Sequence, residues 1–260
     1  MLKPARVALV AAPLFALGQP ALAAVIDFES AGDYTSNFRR LEREGAGVNE
    51  AQSANGAAKD YLRAAGGSNA SRLTTVYDTT PVSAATRTTF GSGLTVEFDA
   101  RIPHADRSVG IYLIDADSTG ESAGYLALFN LDSTATTDRL RFASNANPST
   151  GGAGTLGNEQ TGNSGYNVSA LDFVHFKLVY TINELNQPVL DFTVGDLQRT
   201  VTFATTAYDE VEVALRLSPY INAPNNYIDI DNFSAAVPEP SAIALLGLGS
   251  ALILRGRRRG

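Results

Sequence analysis

The chain has 260 residues, no cysteine, and 20 Lys and Arg against 27 Asp and Glu, which gives a formal net charge of −7. The lack of cysteine excludes disulfides, thiolate metal sites and cysteine nucleophiles. Outside the two terminal segments described below, 14 basic and 26 acidic residues remain, a net charge of −12 that disfavours nucleic acid and anionic membrane surfaces as partners.

Residues 1–24 have the three-part organisation of a secretory signal peptide. Lys3 and Arg6 form the charged start, Val7–Leu17 supplies the apolar core, and Ala21–Ala23 fits the small-x-small cleavage rule. We therefore expect the chain to be exported and this segment to be removed.

Residues 25–236 show a period of two almost throughout, which predicts β-strands. Leu94–Ile102 alternates most clearly, whereas Val109–Ile114 and Tyr125–Leu131 are apolar on both faces, as in central strands that are covered on both sides. Further strands are predicted at Val25–Glu29, Ala58–Ala64, Leu73–Tyr77, Arg139–Ala143, Phe173–Tyr180, Val189–Val194, Val201–Thr205, Val211–Leu217 and Tyr227–Phe233. Many short strands without a convincing helix predict an all-β fold, an antiparallel β-sandwich or jelly roll.

Two intervals rich in Gly, Ala, Asn, Ser or Thr interrupt this pattern. Gly45–Ala57 predicts a polar connection, and Ser144–Asn167 predicts a long surface loop or an irregular insertion.

The last segment, residues 237–260, has three parts. Pro238, Glu239 and Pro240 stand between Val237 and Ser241, and the two prolines disfavour a helix that starts before Ser241. The apolar run 242–254 gives about 20 Å of helix, and snorkelling arginines and local thinning would let it cross a hydrocarbon core of about 30 Å. The arginines at the end, which favour the cytoplasmic side, are Arg255, Arg257, Arg258 and Arg259.

This tail resembles the PEP-CTERM sorting signal of Gram-negative bacteria: V-P-E-P-S, a short apolar span, then R-x-R-R-R. The resemblance covers residues 237–260 only. It implies an inner-membrane intermediate that an exosortase-like membrane enzyme cuts near the Pro-Glu-Pro triplet, followed by delivery to the cell surface or the extracellular matrix. It implies a destination for the chain and leaves its activity open.

Three stretches of the exported domain carry short motifs: Val25–Glu29, Asp172–Tyr180 (D-F-V-H-F-K-L-V-Y) and Tyr227–Phe233 (Y-I-D-I-D-N-F). In these stretches the domain resembles concanavalin-like, laminin-G-like and carbohydrate-binding jelly rolls. In carbohydrate-binding jelly rolls, the Glu of the opening strand and the Asp of "I-D-N" look like ligands of a structural calcium. The resemblance therefore implies Glu29 and Asp231 as ligands here.

The residues themselves suggest a larger acidic patch. If the two terminal strands lie side by side with Ile and Phe inward, Asp27 and Glu29 face outward beside Asp229 and Asp231. Four such carboxylates would repel one another unless a hard cation such as Ca²⁺ accepted their oxygens. The alternative is a solvated acidic face without metal.

The acidic residues and histidines that could act in catalysis form only incomplete motifs. Glu97 and Asp99, and likewise Glu210 and Glu212, approach the Glu-x-Asp-x-x-Glu pattern of concanavalin-like glucanases but lack the third carboxylate. The histidines, His104 and His175, occur in no zinc or nucleophile motif.

For stacking on sugar rings the candidate platform residues are Tyr112, Tyr125 and Tyr77, in a chain that has no tryptophan. The resemblance of the tail implies a surface or matrix role, and we expect a non-enzymatic protein whose sandwich binds extracellular polysaccharide or serves as a structural matrix component. The alternative is a polysaccharide-active enzyme of concanavalin-like fold.

Overall fold

The computed structural model describes twelve stretches of the chain, namely residues 25–28, 36–44, 49–52, 61–65, 72–77, 93–105, 107–131, 137–150, 152–166, 172–208, 210–219 and 227–236. The predicted signal peptide, the predicted transmembrane helix at 242–254 and the Pro-Glu-Pro motif lie outside these residues. Among the residues that are described, no helix is long and apolar enough to cross a membrane.

The described residues include fourteen strands and two short 3-10 helices. The strands are β1 (Phe38–Glu44), β2 (Asn49–Gln52), β3 (Leu62–Ala65), β4 (Arg72–Tyr77), β5 (Leu94–Arg101), β6 (Arg107–Asp115), β7 (Gly124–Leu131), β8 (Asp138–Ala146), β9 (Gly157–Gly162), β10 (Val174–Ile182), β11 (Pro188–Val194), β12 (Leu197–Thr202), β13 (Val211–Ser218) and β14 (Tyr227–Ala236). The 3-10 helices are Thr119–Glu121 and Pro148–Thr150.

The strands form two antiparallel sheets of seven strands each. The first sheet has the order β1-β4-β13-β6-β7-β8-β9, and the second has the order β12-β11-β10-β5-β14-β3-β2. Neighbours such as β14 and β5, or β13 and β6, are far apart in the chain, so the sheets depend on long-range pairing. The predicted antiparallel β-sandwich is confirmed.

Side-chain alternation explains why the second sheet has one buried and one accessible face. Along β5, β10 and β11 every second residue is buried and most of those between are half-buried. In an extended strand successive side chains point to opposite faces, so the apolar half of each strand faces the other sheet.

The core lies between the two sheets and is rich in aromatic rings. Phe98 and Phe176 of the second sheet stack with ring centroids 4.9 Å apart. Phe129 of the first sheet meets Phe176 edge-on at 5.6 Å. Because burying one such side chain contributes about 1.5–3 kcal/mol, this layer holds the sheets face to face. All the described core residues lie within the compact unit Ala23–Pro238, so we expect this unit to fold without the flanking segments.

The first sheet also carries an apolar cluster on its outer face, the face away from the second sheet. Its members are Tyr112, Ile114, Leu126, Leu128, Ala143, Ala146 and Ala214, and Ala153 and Leu156 pack against them. The segment that follows β8 thus covers the centre of this face. This double burial is what the apolar runs of β6 and β7 predict, and that prediction is confirmed.

Two predicted connections contain strands. β2 lies within the predicted polar interval Gly45–Ala57, and β9 lies within the predicted loop Ser144–Asn167. Both are polar edge strands, in which backbone pairing with one neighbour is enough and no apolar period is required. β1 is a third strand that the pattern did not predict.

The chain start pairs with β14 near a bulge. Ile26 exchanges two backbone hydrogen bonds with Phe233, of 2.8 and 3.0 Å. The register between β14 and β5 shifts between Asp231 and Ser234, and Asn232 has a positive φ of 52°. The predicted neighbourhood of the two terminal strands is therefore present, although the first contributes an isolated bridge rather than a full strand.

Candidate carbohydrate-binding face

The outer face of the second sheet carries a group of side chains that we call the arginine–aromatic cluster. It consists of Arg63, Arg101, Asp229, Tyr61, Tyr227 and Phe173. The strands β3, β14 and β5 are neighbours, and Asp229 is directly opposite Arg63 on one side and Arg101 on the other. Directly opposite residues share a face of the sheet, so the register alone brings these three charges together.

Asp229 is fully buried and its carboxylate accepts hydrogen bonds from both arginines. Arg63 donates from Nε to Oδ1 at 2.7 Å and from Nη2 to Oδ2 at 3.0 Å. Arg101 donates from Nε and Nη2 to Oδ2 at 2.9 and 2.6 Å. A buried carboxylate needs such partners, because an isolated buried charge costs several kcal/mol.

Aromatic rings enclose the two guanidinium groups. The Arg63 guanidinium lies 3.8 Å from the ring centroid of Tyr227 and 5.0 Å from that of Tyr61. The Arg101 guanidinium lies 4.8 Å from Tyr61 and 5.0 Å from Phe173. These are cation–π distances, and the rings hold both guanidinium planes in place.

The cluster has an excess of positive charge. The hydrogen bond from Arg63 to Asp229 raises the pKa of Arg63. Burial lowers the pKa of Arg101, but its hydrogen bond to Asp229 and the charge of that residue outweigh burial, so the net shift is upward. Both arginines are charged and Asp229 supplies one opposite charge, which leaves a local net charge of about +1.

A row of polar pairs continues along the same outer face. Asp99 contacts His175 (Oδ1 to Nδ1, 2.9 Å) and accepts a hydrogen bond from Nδ2 of Asn232 at 2.8 Å. Two residues further along the two strands, Lys177 and Glu97 form an ion pair of 2.6 Å. The whole face offers hydrogen-bond donors and acceptors, with the aromatic rings at one end.

The predicted acidic patch is only partly assembled. Asp229, predicted to face outward, is buried because two opposite arginines draw its carboxylate into the cluster. Asp27 is exposed and Asp231 is half-buried beside the bulge, whereas Glu29 lies outside the described residues. No group of three or more His, Cys, Asp or Glu that could hold a metal occurs in the described stretches. The calcium site stays a prediction.

The tyrosines proposed as platforms are buried. Tyr112 is 0% exposed in the outer cluster of the first sheet, and its hydroxyl donates to the carbonyl of Gly152 at 3.4 Å. Tyr125 is 1% exposed, stacks on Tyr208 at 4.5 Å and donates to the carbonyl of Thr206. Their prediction as accessible stacking residues is wrong, because both lie in strands that are covered on two faces. Tyr77 is buried too.

Two pairs of acids were considered for catalysis, and the two pairs belong to different sheets. Glu97 and Asp99 are on β5 of the second sheet, where Lys177 and His175 pair with them. Glu212 is on β13 of the first sheet and pairs with Arg39 at 3.0 Å. The contacts of Glu97 with Lys177 and of Glu212 with Arg39 are cross-strand ion pairs on half-exposed faces, which is the usual arrangement on an amphipathic sheet.

Sequence reasoning missed Arg63, Arg101, Tyr61 and Tyr227 as site residues. Two weak signals in the sequence indicated a buried ion pair here. Asp229 stands between two isoleucines in a buried strand, and Arg101 is a cation at the end of the alternating strand β5. A buried acid requires a cation, but its identity depends on pairing between segments that are more than a hundred residues apart.

Comparison with known proteins identifies one sequence motif. Residues 236–259 match the PEP-CTERM protein-sorting motif, which confirms the predicted sorting signal. The motif implies export through the membrane, processing by an exosortase and a C-terminal transmembrane segment. No curated protein matches the chain.

Solved structures are similar in fold at low sequence identity. A single-residue mutant of the Emp46p carbohydrate recognition domain aligns with a TM-score of 0.50 and 10% identity, over 84% of this chain and 97% of that one. The carbohydrate-binding module CBM66 from Bacillus subtilis gives 0.45 and 15%, over 77% and 95%. A native glycosidic hydrolase gives 0.47 and 12%, over 82% and 94%. The chain thus carries a PEP-CTERM sorting motif after an antiparallel β-sandwich.

Proposed function

We propose that this protein is an exported surface or matrix component whose sandwich binds extracellular polysaccharide through the outer face of the second sheet. The observation that carries the proposal is the arginine–aromatic cluster, in which half-exposed rings and guanidinium groups share one face. The likeness of the fold to the Emp46p carbohydrate recognition domain supports it. We do not assign an enzymatic activity to the domain.

The chemistry of the cluster suits a sugar ring. A pyranose has apolar C–H faces and a rim of hydroxyl groups, so its binding site combines aromatic surface with fixed polar groups. Phe173 and Tyr227 are half-buried and supply the aromatic surface. Arg63 and Arg101 supply donors that Asp229 and the rings hold in fixed positions, which lowers the entropy cost of binding.

The sorting motif fits the same role. We propose that the chain passes through an inner-membrane intermediate, that an exosortase-like enzyme cuts it near Pro238–Pro240, and that the sandwich then meets polysaccharide at the cell surface. Replacing Pro238 and Pro240 with Ala should leave unprocessed protein in the inner membrane, as measured by cell fractionation. Normal processing and surface delivery of that variant would contradict the sorting proposal.

Binding is tested with a glycan array and residues 25–236. We expect the wild-type domain to bind, and Phe173→Ala to bind about tenfold more weakly because a stacking surface is lost. Leu185→Ala is the matched control: Leu185 is 77% exposed on the turn between β10 and β11, outside the cluster. A domain that binds no glycan would instead favour the purely structural role, and release of reducing ends from polysaccharide would reveal an enzyme.

Calcium is proposed as a structural ion near the start of the chain. The Ile26–Phe233 bridge brings Asp27 to the same strand end as Asp231, and carboxylate oxygens suit a hard cation. Of the predicted four acids, Asp229 is bound by two arginines and Glu29 lies outside the described residues, so the proposed ligand set is Asp27, Asp231 and Glu29. A cation at a hundredfold excess over Kd adds about 2.7 kcal/mol to the free energy of unfolding.

A thermal melt in chelator and in millimolar calcium tests the ion. We expect the melting temperature of residues 25–236 to rise by roughly 5 °C in calcium. Asp231→Ala should abolish the rise, whereas Asp117→Ala, an exposed acid near the end of β6, should keep it. Identical wild-type curves in both buffers would remove calcium from the proposal.

A further inference from the structure

The arginine–aromatic cluster contains two positive charges and only one carboxylate to balance them. Two arginines bind one buried Asp229, whereas the neighbouring Lys177 on the described face forms a one-to-one ion pair with Glu97. A single bidentate arginine would already neutralise Asp229. The second one therefore leaves a positive charge whose natural complement is an anionic group from outside the chain.

Donor groups of the two guanidiniums remain available for such a ligand. Each guanidinium has five N–H groups, and in the described residues the hydrogen bonds to Asp229 and Tyr61 involve only Nε and Nη2. Among the described residues, no hydrogen bond engages the Nη1 group of either arginine. The Arg63 and Arg101 side chains are 25% and 18% exposed, so the cluster is accessible at its edge and shielded below it.

The rest of the exported region makes this local charge distinctive. Its net charge of −12 repels polyanions at long range, but that repulsion is screened beyond about 8–10 Å at physiological ionic strength. The charges of the cluster that reach solvent are the two guanidiniums, since Asp229 is fully buried, and they are partly shielded from water, where a direct contact is strongest. An anionic ligand must therefore bind in direct contact with the guanidiniums.

We infer that the cluster recognises acidic sugars, with the carboxylate of a uronic acid on the guanidinium groups of Arg63 and Arg101 and the sugar ring against Tyr227 or Phe173. A carboxylate is planar and matches the guanidinium fork with two parallel hydrogen bonds. The adjacent rings contact the apolar face of the same sugar. This inference rests on the proposed carbohydrate binding and adds the class of sugar.

Calorimetry with an oligogalacturonate and its methyl ester tests the inference on the wild-type domain, residues 25–236. The two probes have the same rings and differ in charge. We expect the acid to bind about tenfold more tightly or better, because a charge-assisted hydrogen bond is worth about 1.5–3 kcal/mol and 1.4 kcal/mol is tenfold. Equal affinities, or no binding of the acid, would overturn the inference. Binding of neutral glycans on the array would in that case leave the proposed function standing.

Variants locate the site. Arg63→Gln should remove most of the preference for the acid while Arg101 still holds Asp229, and Arg39→Gln on the first sheet is the matched control that should keep it. Asp172→Asn removes an exposed acid next to Phe173 without disturbing the buried charges. It should tighten binding of the acid about twofold and leave the ester unchanged. A preference that survives Arg63→Gln and does not respond to Asp172→Asn would place acid recognition elsewhere and overturn the assignment.

Discussion

The two outer faces of the sandwich differ although both sheets have seven antiparallel strands. The outer face of the first sheet carries an apolar cluster that Ala153 and Leu156 cover, and in β6 eight of nine residues are buried. The outer face of the second sheet carries charged pairs and half-exposed rings, and its strands alternate between buried and half-buried residues. The first sheet uses both faces for stability, so in the described structure the second sheet is the one with a face suited to a ligand.

The largest expected effect is a difference in the stability lost when an apolar side chain is truncated on each of the two outer faces. Leu126→Ala removes a fully buried side chain from the outer cluster of the first sheet and should lower the free energy of unfolding by about 2–5 kcal/mol. Val179→Ala, at a half-buried position on the outer face of the second sheet, should cost below about 1 kcal/mol. Urea unfolding of both variants measures the difference. Similar losses would mean that the two faces are equally packed.

The next effect concerns Asp229, a fully buried charge on the outer face of the second sheet. Asp229→Asn leaves two guanidiniums without their carboxylate and should cost about 2–3 kcal/mol, less than the 3–5 kcal/mol of a fully buried pair because both arginines reach solvent. Glu212→Gln breaks the half-exposed pair with Arg39 on the first sheet and should cost about 0–1 kcal/mol. Equal costs in urea unfolding would show that the cluster adds no specific stability.

A smaller effect on stability is expected from Tyr166, which holds the backbone just after β5. The Tyr166 hydroxyl accepts from the N–H of Ile102 at 2.7 Å and donates to the carbonyl of the same residue at 2.8 Å. Tyr166→Phe should cost about 1–3 kcal/mol at neutral pH, because two backbone groups lose their partner. Urea unfolding at pH 7 measures that loss.

The same residue should make stability fall at high pH. Burial raises the pKa of Tyr166 from 10.0 to about 12. The folded state therefore holds this proton more tightly than the unfolded state, and the stabilisation is complete below about pH 10 and is lost as the pH rises toward 12. Tyr166→Phe should flatten this decline relative to wild type in melts at intervals from pH 9 upward. Parallel curves for the two proteins would contradict the assignment.

The smallest effect is expected for the exposed pairs of the second face. Lys177 and Glu97 are 44% and 33% exposed, so Lys177→Ala should change the free energy of unfolding by about 0.5 kcal/mol or less. A double-mutant cycle with Glu97→Ala isolates the pair, and 0.5 M salt should reduce its coupling energy further. A coupling energy above about 2 kcal/mol would contradict the expectation that this pair adds little to stability.

Much of the architecture followed from local patterns. Nearly every alternating stretch became a strand within one to four residues of its predicted bounds, as Leu94–Ile102 became β5 and Val211–Leu217 became β13. The apolar period records which face is buried, and burial is what stabilises a strand. The polar edge strands β2 and β9 could not be predicted this way, because they are held by backbone hydrogen bonds that any residue can make.

The sequence by itself determined the sorting motif and the β-sandwich, because each is written in contiguous residues: a Pro-Glu-Pro triplet before an apolar run, and a period of two. The signal peptide stays a prediction from the same kind of local pattern. Only the tertiary structure decided which charges meet. Asp229 looked like an outward acid until β3 and β5 placed Arg63 and Arg101 directly opposite it. Tyr112 and Tyr125 looked accessible until their strands were covered on both faces. Pairing between distant strands decides these environments, and no local period encodes it, because register is fixed by the whole sheet.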